Sequence, residues 1–178
     1  MTTFTIPTLE TERLLLRAPQ LSDFDVYADF FASERAQFVG GPLTRERAWR
    51  SLATEAGHWI LLGFGRWALE EKATGAFVGN VGLWHPEGFP ERELGWDLMA
   101  GAEGKGYATE AAQAARAYAY DTLGWTTLIS LVADQNHASR RVAERMGCQH
   151  DGAFTHAVFG TSQIWRHPSP AALAEAAR

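Results

Sequence analysis

Residues Glu93-Leu-Gly-Trp-Asp-Leu-Met-Ala-Gly-Ala-Glu-Gly-Lys-Gly-Tyr-Ala-Thr-Glu-Ala-Ala112 run from a strand through a glycine-rich loop straight into an alanine-rich helix. Successive backbone N–H groups in such a loop, with the unsatisfied N–H groups of the helix start, form a concavity that favours phosphate. Gly104 and Gly106 let main chain approach a bulky anion with no Cβ in the way. Lys105 is one of two lysines among 16 basic residues, Lys72 being the other, and Thr109 offers a hydroxyl in the first turn. The same residues also suit a plain tight strand-to-helix turn, so residue type alone leaves both readings open. Two standard phosphate motifs fail. A P-loop needs Ser or Thr after its lysine, where Gly106 stands, and the dinucleotide fingerprint needs a third glycine where Thr109 stands.

Upstream, Arg13–Ala18 reads as a buried first strand ended by Pro19. Ser22-Asp23 is expected to cap a helix carrying Phe24, Tyr27, Ala28 and Phe31. Thr44 is expected to cap a second, with Ala48, Trp49, Leu52, Ala53 and Ala56 on one side. From Gly65 the period changes to two: Arg66–Glu70 and Ala76–Trp84 read as strands joined by a Lys72–Gly75 turn, and Glu91–Met99 as a third. Downstream come a helix over Tyr107–Leu123, a β-branched strand over Thr126–Ala133, a helix over His137–Met146, and strands near Gln149–Thr155 and Ala157–Arg166. The last eight residues are helix-prone and expected to fray. This order predicts an α/β (α+β) domain over residues 8–168 with a tail over 169–178. Its mixed, largely antiparallel central sheet has about seven strands flanked by four helices.

A chain of 178 residues buries roughly 70% of its unfolded surface, enough for a core without staples. Cys148 is the sole cysteine, which excludes an internal disulfide and points to a reducing, cytoplasmic setting. A net charge of −5 argues against a general nucleic-acid binder. The start has neither a basic n-region nor a long apolar run, so no signal peptide is expected, and no stretch approaches the ~18 apolar residues of a membrane span. The six histidines form no helical pair of the zinc-protease type, and no metal is expected.

Gly104-Lys-Gly-Tyr-Ala-Thr-Glu-Ala111 resembles the acetyl-coenzyme A signature of the GNAT N-acetyltransferase superfamily. Glu93-Leu-Gly-Trp-Asp-Leu98 is similar to that family's strand before the loop. Asp134–Gly147 is similar to its next strand-to-helix segment, including the Asn136/Ser139 spacing. Thr11-Glu-Arg-Leu-Leu-Leu-Arg17 resembles the opening of the branch that includes ribosomal-protein N-terminal acetyltransferases. The resemblance covers roughly Thr8 to Pro168. It departs from the family at Gly101, where a polar residue is usual, and at Glu103, where tryptophan is common and where a carboxylate would sit beside the pyrophosphate.

The resemblance implies acetyl-CoA as co-substrate. Its pantetheine arm would bond backbone near Leu98 and Met99 like an added strand, and its pyrophosphate would be held by N–H groups from Gly104, Lys105 and Gly106 to Tyr107, Ala108 and Thr109. Asn136 and Ser139 would bond the pantetheine or acetyl region. Arg140 or Arg141 would meet the adenine-side phosphates, or form an exposed helix pair. Acetylating an amine needs a base for the ammonium proton and an acid for the departing thiolate. Glu93 is the candidate base; its alternative is a solvated strand-end carboxylate. The family's usual tyrosine acid is replaced by Ala143, which leaves Ser139 as candidate acid or as a cap. Trp84, His85 and Phe31 are candidates for the acceptor pocket, where ordinary packing or exposure is the competing reading. Phe30 and Phe38 read as core residues that could border the acceptor site, His156 of the final hairpin as a pocket or surface residue, and Cys148 as a buried structural thiol.

The reading is an acetyl-CoA-dependent N-acetyltransferase acting on a primary amine, a protein N-terminus or a small molecule, by direct attack in a ternary complex. A monomer or homodimer is expected, with neither nucleic acid nor membrane as partner. The rivals are a non-catalytic acyl-CoA sensor and a nucleotide or phosphate-sugar binder.

Overall fold

In the computed structural model, residues 4–157 and 159–178 are described. One eight-stranded sheet runs through the molecule in the order β1-β2-β3-β4-β5-β6-β8-β7. The strands are β1 (Leu9–Glu10), β2 (Leu14–Arg17), β3 (Arg66–Glu71), β4 (Ala76–Trp84), β5 (Glu93–Leu98), β6 (Ile129–Val132), β7 (Gln149–His156) and β8 (Gly160–Arg166). Five α-helices accompany it: α1 (Phe24–Ala32), α2 (Arg45–Leu62), α3 (Tyr107–Ala117), α4 (His137–Arg145) and α5 (Pro170–Ala176). The sheet is thus mixed and largely antiparallel as expected, with one strand and one helix more than the sequence reading. The extra strand, β1, is two residues long and too short to show a period. The extra helix, α5, lies in the segment expected to fray. Ser169 caps it by accepting the Ala172 N–H at 3.2 Å, Pro170 sits in its first turn, and Leu173 packs on the core.

Local chemistry sets the helix limits. Thr44 accepts the Arg47 N–H to start α2, which stops at Gly63 in the left-handed region. The buried face of α2 carries Ala48, Leu52, Glu55, His58 and Trp59, while Trp49 is half exposed. The stripe therefore lies one residue away from the one expected, because Trp59 must reach Trp67 of β3, 4.8 Å between ring centres. Helix α3 gives way at Tyr118–Thr122 to a π turn, earlier than the Leu123 end expected. Strand β6 is likewise shorter than the run Thr126–Ala133, since Leu128 and its neighbours form the lead-in.

Leu14 and Leu16 of β2, Trp67 and Leu69 of β3, and Val81 and Leu83 of β4 form the main core with Ala111, Ala112 and Ala115 of α3. Truncating any of these leucines to alanine would cost about 2–5 kcal/mol. A second cluster joins Tyr27, Phe30 and Phe31 of α1 to Ala48 and Leu52 of α2 and to Met99. The sheet opens between β5 and β6. These strands run parallel and are paired at one rung, Glu93 with Ile129, beyond which they separate.

Candidate active site

Two clefts meet where β5 and β6 part. One is a groove of about 1000 Å³ along the glycine-rich loop, α3 and α4; the other is a cavity of about 350 Å³ on the side of α1, α2 and the β7–β8 hairpin. Both are lined by Trp96, Asp97, Asn136 and Ser139.

Leu98, Gly104, Lys105, Gly106, Ala108, Thr109, Asn136, Ser139 and Arg141 all border the groove. Gly106 caps α3 with φ at 84°, in the left-handed region, and a Cβ there would reach within 3.4 Å of the Arg13 guanidinium. Its glycine is thus required by backbone conformation even before any ligand approaches. Arg13 ties the loop to the helix: it donates to the Lys105 carbonyl at 2.8 Å and to Glu110 Oε2 at 2.7 Å. Two expected cofactor residues, Met99 and Tyr107, turn their side chains away from the groove, while the Tyr107 N–H stands at the start of α3. The Met99 N–H is spent on the Val78 carbonyl at 3.0 Å, and the Met99 side chain belongs to the second core. Tyr107 is buried and its hydroxyl donates to Glu71 on β3. The polar side chains are more evenly charged than the sequence indicated. Arg35 pairs with Glu103 and also donates to the Leu98 carbonyl at 2.9 Å, and Glu103 accepts the Gly101 N–H at 2.9 Å. Arg145 lines the groove one turn beyond Arg141, and neither has an ion-pair partner among the described residues. The i, i+4 spacing of Arg141 and Arg145 was a signal for the pair. Arg140 instead turns to Glu144 at 3.0 Å and to the Trp165 ring.

Glu93 and Ser139 both border the smaller cavity. The Glu93 carboxylate accepts the Leu131 N–H at 3.2 Å, and burial pushes its pKa up to about 7 against the opposing influence of that N–H and of Arg66. Asn136 caps α4 by accepting the Ser139 N–H at 3.1 Å. Ser139 Oγ accepts the Trp96 indole N–H at 3.2 Å, so its own proton can point elsewhere. Ala143, in place of the family's tyrosine, is fully buried. Trp84 and Phe31 line the cavity; His85 is not among its lining residues, and its backbone N–H donates to His58 Nε2 at 3.1 Å. Cys148 is buried, and burial pushes its thiol up to about 12.

Sequence reasoning missed a buried charge cluster in the cavity wall. Arg66 donates to Asp97 at 2.6 Å and lies 3.5 Å from Glu55, whose Oε1 is 3.0 Å from the Tyr27 hydroxyl. Burial pushes Glu55 up to about 7, opposed chiefly by Arg66. Its position three residues beyond Leu52 on the inward stripe of α2 was the available signal.

The protein-family model "Acetyltransferase (GNAT) domain" matches residues 13–149. An uncharacterized N-acetyltransferase, YoaA of Bacillus subtilis, is 28% identical over 160 residues, covering 86% of this chain and 89% of that one. The crystal structure of an acetyltransferase from Agrobacterium tumefaciens is 41% identical, with a TM-score of 0.85 over 94% of this chain and 97% of that one. An aminoglycoside acetyltransferase, AAC(6')-Ib, solved in complex with coenzyme A, shares the fold at 14% identity, with a TM-score of 0.76 over 93% of this chain and 99% of that one. The chain belongs to the GNAT acetyltransferase family and is an acyltransferase.

Proposed function

We propose that the protein moves acetyl from acetyl-CoA to a primary amine by direct attack, with both substrates bound together. The observation that carries this is the meeting of the two clefts at Ser139 and Asn136, with Glu93 on the cavity side of the junction.

The groove fits a phosphorylated, extended co-substrate: a loop with Gly104 and Gly106 in left-handed geometry opens a helix, and Arg141 and Arg145 are uncommitted beside it. Leu98, Asn136 and Ser139 would hold the arm, and Gly104, Lys105, Gly106, Ala108 and Thr109 the pyrophosphate. Once bound, acetyl-CoA supplies an activated acyl carbon. Glu93, with a pKa near neutrality, takes the ammonium proton and leaves a neutral, nucleophilic amine. Ser139 Oγ–H donates toward the departing sulfur while the Trp96 indole holds its oxygen in place. The test is thiol release from acetyl-CoA across a panel of amines. Turnover on at least one amine is expected; coenzyme A binding without release on any of them would favour the sensor reading instead.

A further inference from the structure

We propose that the cavity beside Glu93 selects primary amines with an aryl or branched-alkyl body and no carboxylate. This rests on the amine-acetylation reading and names its substrate class.

The cavity is polar at its floor and aromatic above. Its buried charged residues are Glu55 and Asp97, 3% and 6% exposed, with Arg66 between them and Glu93 alongside. Three carboxylates thus face one guanidinium, which already contacts two of them at 2.6 and 3.5 Å. Glu55 Oε2 is buried with no hydrogen-bond partner among the described residues, so this wall holds more polar oxygen than the protein's own donors satisfy. A substrate carboxylate would meet the opposite situation: an arginine whose two terminal nitrogens already face Asp97 and Glu55, with only its buried Nε unpaired, and more carboxyl groups than cations.

The walls supply the other half of the selection. Phe31, held at 4.7 Å from the Tyr27 ring, and Trp84, stacked on His58 at 4.3 Å, are fixed by their neighbours. Phe89, Phe154 and Phe159 close the side toward the β7–β8 hairpin, Phe159 being half exposed. Rings of this kind take an apolar body and attract an ammonium by its charge. A volume of about 350 Å³ is at the small end of ligand pockets, which suits one ring or a short branched chain. The ammonium then lies inward, where Asp97 borders both clefts, and the body outward.

The experiment compares matched pairs, 2-phenylethylamine with phenylalanine and isoamylamine with leucine, with ethanolamine as a small hydrophilic amine. Two readouts are taken on the protein: thiol release from acetyl-CoA, and quenching of its intrinsic tryptophan fluorescence, to which Trp84 and Trp96 contribute, with coenzyme A present. Each carboxylate-free member is expected to bind at least about 30-fold better than its amino acid, and 2-phenylethylamine at least about tenfold better than ethanolamine. Glu55→Gln should shrink the first ratio several-fold. Phe154→Ser, at a half-buried wall position, should shrink the second, and it keeps the idea testable if Glu55→Gln does not fold. Parity within the pairs, a preference for the amino acids or for ethanolamine, or no binding by any of them overturns the proposal. Selective quenching by 2-phenylethylamine without thiol release would leave the selectivity standing and sink the transfer reading.

Discussion

Glu93 Oε1 accepts the Leu131 N–H at 3.2 Å, so a side chain satisfies an amide that a continuing parallel ladder would have paired with backbone of β5. A second such substitution sits beside it: Ser130 Oγ donates to the Leu94 carbonyl at 2.6 Å and lies 2.9 Å from His167 Nε2. Together these contacts satisfy two main-chain groups, the Leu131 N–H and the Leu94 carbonyl, where the strands part. They also fix the candidate base at the mouth of the opening. Glu93→Gln keeps the shape and the acceptor oxygen but cannot take a proton. It should lower kcat by about 10²-fold while leaving the dissociation constant of acetyl-CoA nearly unchanged. The wild-type rate should rise with pH and level off above about 7, and this inflection should be missing in the variant. A fully active variant with an unaltered pH profile would remove Glu93 from the chemistry.

Ser139 is held from two sides, its N–H by Asn136 and its oxygen by the Trp96 indole. Ser139→Ala should slow turnover by about 10²-fold, the lower end of the range for proton donors. The loss should shrink when a co-substrate with a more acidic thiol is used, since a better leaving group needs less protonation. Trp96→Phe, which frees the hydroxyl but keeps it, should give an intermediate rate. Equal losses with both co-substrates would make Ser139 a packing residue only.

Gly106 occupies the left-handed region at φ 84°, so a β-branched residue there carries about 1–3 kcal/mol of backbone strain. Gly106→Val should weaken acetyl-CoA binding by at least tenfold, measured by calorimetry, because the loop amides and the first turn of α3 no longer converge. Gly101→Ala, also at positive φ but outside the groove lining, should cost stability without a comparable loss of affinity. Normal binding by the Gly106 variant would undo the cradle.

What could be read from the chain was local. The loop from Gly101 to Gly106, the Lys72–Gly75 turn, the Thr44 cap and the strands β3 and β4 are each decided by a few adjacent residues and lie where the pattern places them, although β3 and β4 are buried in continuous runs rather than with a period of two. The resemblance at Gly104–Ala111 then supplied the family. What escaped was non-local. Arg66 meets Asp97 across 31 positions and Arg35 meets Glu103 across 68, and no spacing announces such pairs. Trp49 looked like a core residue by type, but the position of Trp67 selected the neighbouring stripe of α2. Tyr107 sits inside the signature, yet its side chain turns toward Glu71 because the groove side of the helix start belongs to Ala108 and Thr109.

Buried Glu55 gives a stability signature of its own. Its folded-state pKa, about 7, lies above the ordinary 4.5, so the folded protein retains a proton that the unfolded chain gives up. Stability contributed by that proton is full below pH 4.5, erodes as pH rises, and is gone above about 7. Glu93 adds in the same sense. Urea titrations between pH 5 and 8 should therefore show a downward slope in unfolding free energy that flattens in Glu55→Gln. An identical slope in the variant would mean that Glu55 ionises normally in the fold.

Arg35 makes the last case, because it resolves the awkward carboxylate of Glu103. An unpaired Glu103 on the loop would repel the pyrophosphate; in the structure it is paired with Arg35, which also covers the Leu98 carbonyl. Both partners are substantially exposed, so screening limits the effect. Arg35→Ala should weaken acetyl-CoA binding by about three- to tenfold, more at low salt than at high. Removing the negative charge as well, in Arg35→Ala with Glu103→Gln, should restore most of the affinity, because the arginine's main service to the groove is to cancel that charge. If Arg35 instead bound phosphate directly, the double variant would remain as weak as the single one. Calorimetry at two salt concentrations on the four proteins of this cycle decides between the two roles.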